Sequence, residues 1–192
     1  RAGYRLSGEH KVQDARANSE LMDANHPGLE WSIIGGLQTN KAKYVARFAT
    51  EFQALDSLKI AHELDKRLQK EGRQLRVLVQ VNSSAEPQKS GIAPEEAVDF
   101  ARELAAFDSL DVRGLMTVAL NSSDQRAVAD CFDLVVATQE KLRQEGGDTS
   151  DWSELSMGMS GDLEIAIAHG STQVRIGTDI FGARDPARTW RP

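Results

Sequence analysis

One cysteine, Cys131, stands in 192 residues, which excludes an internal disulfide and fits a reducing, cytoplasmic compartment. Positive charge is in deficit, with 23 Lys and Arg against 29 Asp and Glu. The net charge of −6 repels phosphate backbones and speaks against general nucleic-acid binding. Strongly apolar stretches such as Val77 to Val81 fall far short of the roughly 20 residues a membrane-spanning helix needs. The chain opens on Arg1, and no apolar leader precedes Tyr4, so nothing reads as an export signal. The four histidines lack the close spacing to carboxylates or thiols that a zinc site requires. No dinucleotide fingerprint occurs. Gly177 to Gly182 has the gap of a phosphate loop, but Ala183-Arg184 follows where Lys and Ser or Thr are needed.

What is present is an alternation of short apolar runs with amphipathic segments. About 40% of residues are apolar, enough for the core of one domain, and no strong linker divides residues 1–192. Leu75 to Asn82 alternates two faces as a strand does, and Pro94 then opens a helix predicted over 94–107. Val112 to Val118 is again strand-like, and Ser122 is expected to start a long helix with an apolar stripe through Val128, Cys131, Phe132, Val135 and Leu142, ended by Gly146-Gly147. On that stripe Cys131 reads as a small buried hydrophobe. Further strands are expected at Tyr4 to Ser7, Trp31 to Ile34, Leu155 to Met159 and Gln173 to Ile176, with a weak one at Phe52 to Leu55. Amphipathic segments cover 39–48 and 57–70, and a helix is expected from Gly161 to His169. Strand and helix in turn indicate βαβ units and a largely parallel sheet. Seven strands are one short of a closed (β/α)8 barrel; an open doubly wound sheet is the alternative architecture.

Chemistry concentrates in Leu155 to Asp162 and Val174 to Arg184. A strand runs into Ser160, which is placed to cap the following helix, and the next strand ends in Gly177-Thr178. A helix start offers free N–H groups, and glycine lets the main chain approach an anion, so these residues form a candidate phosphate cradle. The competing reading makes Ser160 a simple cap and Gly177 a simple turn residue. If Val174 and Ile176 face the helices, Arg175 points inward, where a permanent charge requires a partner. That partner is a bound ligand or an acid such as Asp162 or Glu164. By the same parity Asn82 ends its strand on the inward face, to orient a ligand hydroxyl or to terminate the strand. The tail from Pro186, with Arg188 and Arg191, reads as a solvated end.

Together the motifs resemble those of the pyridoxal phosphate homeostasis protein family, which is similar in fold to the N-terminal domain of alanine racemase. The likeness runs along essentially the whole chain. It is carried by Gly8-Glu9 with Val12-Gln13, Trp31 through Ile34-Gly35 to Leu37-Gln38-Thr39-Asn40-Lys41, Val81-Asn82 with Lys89-Ser90-Gly91, Arg113-Gly114-Leu115-Met116, and the two C-terminal runs. It implies a TIM (β/α)8 barrel of the alanine racemase type that binds pyridoxal 5′-phosphate (PLP), acting as a carrier or regulator rather than a catalyst. It further implies that Ser160, Gly177 and Thr178 hold the phosphate, that Arg175 faces the pyridine nitrogen, and that Asn82, Met116, Ile34 and Gly35 line the ring pocket. A guanidinium donating to that nitrogen disfavours its protonation and weakens the ring as an electron sink.

The family's imine-forming lysine lies upstream of the Gly-Glu motif, and all eight lysines of this chain fall at other motif positions. That lysine is therefore expected upstream of Arg1, and no catalytic residue is assigned within the chain. The resemblance thus implies a barrel lacking its first strand and helix at the N-terminus. The sequence departs from the family where His10, Ser32 and Gly36 stand in place of Asn, His and Pro. The alternative from the enzyme class, a PLP-dependent amino-acid racemase, needs a second acid/base opposite that lysine, typically tyrosine, and the two tyrosines, Tyr4 and Tyr44, lie in other motifs.

Overall fold

The computed structural model describes residues 5–182 apart from 23–25, 27, 87 and 147–149. Arg1 to Tyr4, Gly147, Ala183-Arg184 and the 186–192 tail lie outside them. The expectation that the imine-forming lysine stands upstream of Arg1 thus falls outside the described residues as well. Parallel β-strands and α-helices follow one another as β1 (Leu6–Glu9), α1 (Val12–Met22), β2 (Glu30–Ile33), α2 (Ala42–Phe48), β3 (Glu51–Leu55), α3 (Leu58–Glu71), β4 (Leu75–Gln80) and α4 (Ala97–Leu104). They continue as β5 (Leu110–Met116), α5 (Gln125–Glu145), β6 (Glu154–Met159), α6 (Leu163–Ala168), β7 (Gln173–Arg175) and α7 (Thr178–Phe181). Short 3-10 turns at Thr39–Lys41 and Pro94–Glu96 lead into α2 and α4.

Each strand pairs in parallel with the next in sequence, in the order β1 to β7. A doubly wound sheet would reverse its strand order partway, so that alternative is not adopted. The sheet curls instead. In a flat sheet β3 and β6, three positions apart, would lie about 14 Å from each other. Yet Ser156 of β6 donates from Oγ to Gln53 Oε1 of β3 at 2.7 Å, both side chains being buried. The seven strands therefore form a nearly closed α/β barrel with the helices outside, α2 packed on α3, α4 on α5 and α5 on α6.

Strands covered on both faces become continuously apolar, as in β4, where Leu75, Val77, Leu78 and Val79 are all buried. The helices present one stripe to them: Ile60, Ala61, Leu64 and Leu68 of α3, and Val128, Cys131, Phe132, Val135 and Leu142 of α5. Gly72, at φ 63°, ends α3 in the left-handed conformation, and Arg73 N donates back to Leu68 O.

Several predicted boundaries move for identifiable reasons. The long helix starts after Asp124 rather than at Ser122, because Asp124 Oδ1 accepts from Arg126 N and Ala127 N, while Ser122 Oγ accepts from Asp124 N in the turn before. The helix expected over 94–107 is a 3-10 turn followed by α4, and the one expected from Gly161 begins at Leu163. Ser160 is not its cap: that position is Asp162, whose Oδ1 accepts from Met159 N at 2.6 Å. Helix α1 has no counterpart among the elements expected from sequence, since only Val12, Ala15 and Ser19 of its eleven residues are buried.

Candidate functional site

In a parallel barrel the C-terminal ends of all strands open onto one rim, where loops carry chemistry. The predicted residues lie there, following β2 (Ile34, Gly35), β4 (Asn82), β6 (Ser160) and β7 (Gly177, Thr178), or as the last residue of β5 (Met116) and β7 (Arg175).

The tightest group forms between β6 and β7. Gly158, at φ 97°, leaves room for α6; a Cβ there would stand 2.6 Å from the Cβ of Ala166. The chain then turns through Ser160-Gly161 under the Asp162–Met159 bond, and Ser160 Oγ accepts from Asp179 N of α7 at 3.4 Å. Freed from capping α6, Ser160 faces the Gly177-Thr178 segment. A Cβ built on Gly161 or Gly177 meets no atom within 4 Å, so open space adjoins both glycines.

Arg175 forms the floor. It lies in register beside Met159 and points into the barrel, as strand parity predicts. Its Nη1 donates to Ser156 O at 2.8 Å and Ser156 Oγ at 2.7 Å, and its Nη2 donates to Thr117 O at 2.6 Å. Those bonds engage three of its five N–H groups. Burial pulls the guanidinium down to about 10, against the opposing pull of Asp162, so it stays charged at neutral pH. The acid weighed from sequence as the alternative to a ligand is not among these hydrogen bonds, whose acceptors are two carbonyls and a hydroxyl.

Met116 ends β5 in register with Ser156 and is buried, next to the Thr117 carbonyl that holds Arg175. The Asn82 side chain organises its own loop. Its Nδ2 donates to Glu86 O at 2.9 Å, and its Oδ1 accepts from Ser84 N and Oγ. Gly91 of the Lys89-Ser90-Gly91 motif, at φ 119°, passes so close that a Cβ would lie 2.7 Å from Asn82 N. Ile34 and Gly35 sit against the end of β1: Ile34 N donates to Glu9 O, and Gly35 is pressed on the His10 carbonyl. The structure thus places Ser160, Arg175, Gly177 and Thr178 together along β6, β7 and the turns that follow them, and Ile34 and Gly35 after β2, against the end of β1.

Among the described residues, four buried polar side chains of the barrel interior receive no role from the sequence reading, Glu51, Gln53, Thr117 and Ser156, and they lie beside the buried Ser32. The signal is the polar alternation of Glu51 and Gln53 in β3, on a face that turns into the barrel. The departure at Ser32 has a partner here, since its Oγ donates to Glu51 Oε1 at 2.7 Å. Nothing in the structure explains Gly36.

The model of the alanine racemase N-terminal domain family matches residues 2–185. The pyridoxal phosphate homeostasis protein of Vibrio cholerae is 40% identical over 189 residues, 97% of this chain and 79% of that protein. The structure of PipY from Synechococcus elongatus with PLP bound superposes with a TM-score of 0.87 at 31% identity, covering 94% of this chain and 83% of that one. Alanine racemase from Corynebacterium glutamicum shares the fold alone, at 15% identity and a TM-score of 0.66 over 94% of this chain and 48% of that one. With its sequential parallel strands, curled sheet and a likeness that covers 97% of its residues, the chain belongs to the pyridoxal phosphate homeostasis protein family, built on the alanine racemase N-terminal domain.

Proposed function

We propose that the chain binds PLP at this rim and serves its homeostasis in the cytoplasm as a carrier or regulator. The phosphate rests between Ser160 and Gly177-Thr178, and the ring lies over Arg175. The observation that carries this reading is the Ser160–Asp179 contact bordering open space, with an anchored guanidinium behind it. It is supported by the name of the Vibrio relative and by the PLP in PipY.

The residues present suit the group. Ser160 and Thr178 offer hydroxyls, glycine backbone lies open at 161 and 177, and Arg175 retains two uncommitted N–H donors for the ring nitrogen. When bound, PLP supplies an aldehyde that captures amines and a ring that draws electrons. Arg175 tunes that capacity downward, because a cation donating a hydrogen bond opposes a proton on the same nitrogen. Met116 and Asn82 flank the ring, and Ile34 with Gly35 closes its far edge. Tyr44, one of the two tyrosines a racemase reading would need to recruit, stands on α2, with Arg16 and Lys43 over its ring. Among the described residues no helix is long and apolar enough to cross a membrane.

Pyridoxine 5′-phosphate, which forms no imine, tests the seat independently of any lysine. Calorimetric titration is expected to show binding that Ser160→Ala with Thr178→Val weakens by about tenfold or more, roughly 1.4 kcal/mol or above, while unphosphorylated pyridoxine binds both proteins equally weakly. Equal affinity of wild type and variant for the phosphorylated compound would overturn the assignment.

A further inference from the structure

Arg175 does not stand alone in the barrel. Ser156 Oγ, which accepts from Arg175 Nη1, donates in turn to Gln53 Oε1 at 2.7 Å; Gln53 Nε2 donates to Glu51 Oε1 at 2.6 Å. Glu51 also receives Ser32 Oγ, and Arg76 Nη2 stands 4.0 Å from its second oxygen. Gln53 is 1% exposed and Glu51 2%, so this chain of groups runs through the interior from β3 to β7.

Its direction is set at both ends. Glu51 Oε1 accepts from both Ser32 Oγ and Gln53 Nε2, so the Gln53 amide turns its NH2 to Glu51 and its oxygen to Ser156. That oxygen claims the serine proton, which leaves the Ser156 lone pairs facing Arg175. A guanidinium only donates, so the last link closes without conflict. Reversing any member would set donor against donor or acceptor against acceptor in a medium where unpaired groups are costly.

We propose that Gln53 is a positioning residue for cofactor recognition: it passes the polarity of the buried Glu51 carboxylate through Ser156 and thereby fixes the guanidinium of Arg175 toward the ligand's ring nitrogen. The proposal rests on the binding mode given above. It assigns no contact between Gln53 or Glu51 and the ligand; both act through Arg175.

The test compares pyridoxine 5′-phosphate with its 1-deaza analogue, in which C–H replaces the ring nitrogen, on the full chain and on Gln53→Met. The two ligands share phosphate, shape and substituents, so their affinity ratio reads only the contact to the nitrogen and is insensitive to a general loss of stability. Wild type is expected to prefer the pyridine by about tenfold, and Gln53→Met to narrow that preference to about threefold or less. Glu51→Gln, which keeps the shape and removes the charge, is expected to narrow it likewise and stands in should Gln53→Met fail to fold. Variants that keep the wild-type ratio would overturn the positioning role while leaving the binding mode intact. A wild type that binds the phosphorylated pyridine but shows no preference removes Arg175 from the nitrogen and the inference with it. A wild type that binds neither ligand overturns both proposals.

Discussion

Arg175→Leu is expected to destabilise the fold by about 2–4 kcal/mol in urea unfolding and to lower the affinity for pyridoxine 5′-phosphate by about tenfold or more. The side chain satisfies three interior acceptors at once, Ser156 O, Ser156 Oγ and Thr117 O. Leucine supplies no donor, so Ser156 Oγ and Thr117 O lose theirs, while Ser156 O keeps the bond from Thr117 N at 3.1 Å, which holds the loss below the sum of three buried vacancies. Arg175→Lys keeps a charge but not the planar fork that reaches β5 and β6 together, and is expected to fall between leucine and wild type in both measurements. Unchanged stability in the leucine variant would contradict the reading of Arg175 as the interior anchor.

Gly114→Ala carries the second large effect, expected at about 3 kcal/mol or more, beyond the ordinary range for overpacking. A Cβ at this position would penetrate the backbone carbonyl of Glu154, the residue with which Gly114 pairs in register. A flexible side chain could swing aside; a carbonyl held in a strand ladder cannot. The seam between β5 and β6 must open, and it is the seam that sets Thr117 and Ser156 where Arg175 needs them. Thermal unfolding and ligand titration should therefore fall together. A variant with the wild-type melting temperature would show that the close approach is not required.

The seven strands are legible because most βα units write their own local pattern, an apolar run followed by an amphipathic one; α1, with only Val12, Ala15 and Ser19 buried, does not. Ends are less so, since Ser122 and Ser160 look as much like helix caps as Asp124 and Asp162 do; the Asp124 side chain decides the first by accepting from Arg126 N, and the Ala166 N to Asp162 O backbone bond decides the second. The strand at Phe52 reads as weak because polar alternation ordinarily marks a face turned to water. In β3 that face turns into the barrel, where Glu51 and Gln53 meet buried partners. Arg175 can be placed inward by parity within its own strand. Its partners cannot, because the link from Gln53 to Ser156 joins residues 103 apart in sequence and exists only through the curvature of the sheet. The family resemblance points to the β6–β7 rim but not to the interior chain behind it, and the departure at Ser32 becomes intelligible only through Glu51.

A crystal structure of the chain soaked with pyridoxine 5′-phosphate would show the seat itself. Phosphate density is expected between the Ser160 hydroxyl and the Gly177-Thr178 backbone, with the ring nitrogen accepting a hydrogen bond from Arg175. Ligand bound elsewhere, or an Arg175 side chain directed away from the nitrogen, would contradict the assignment.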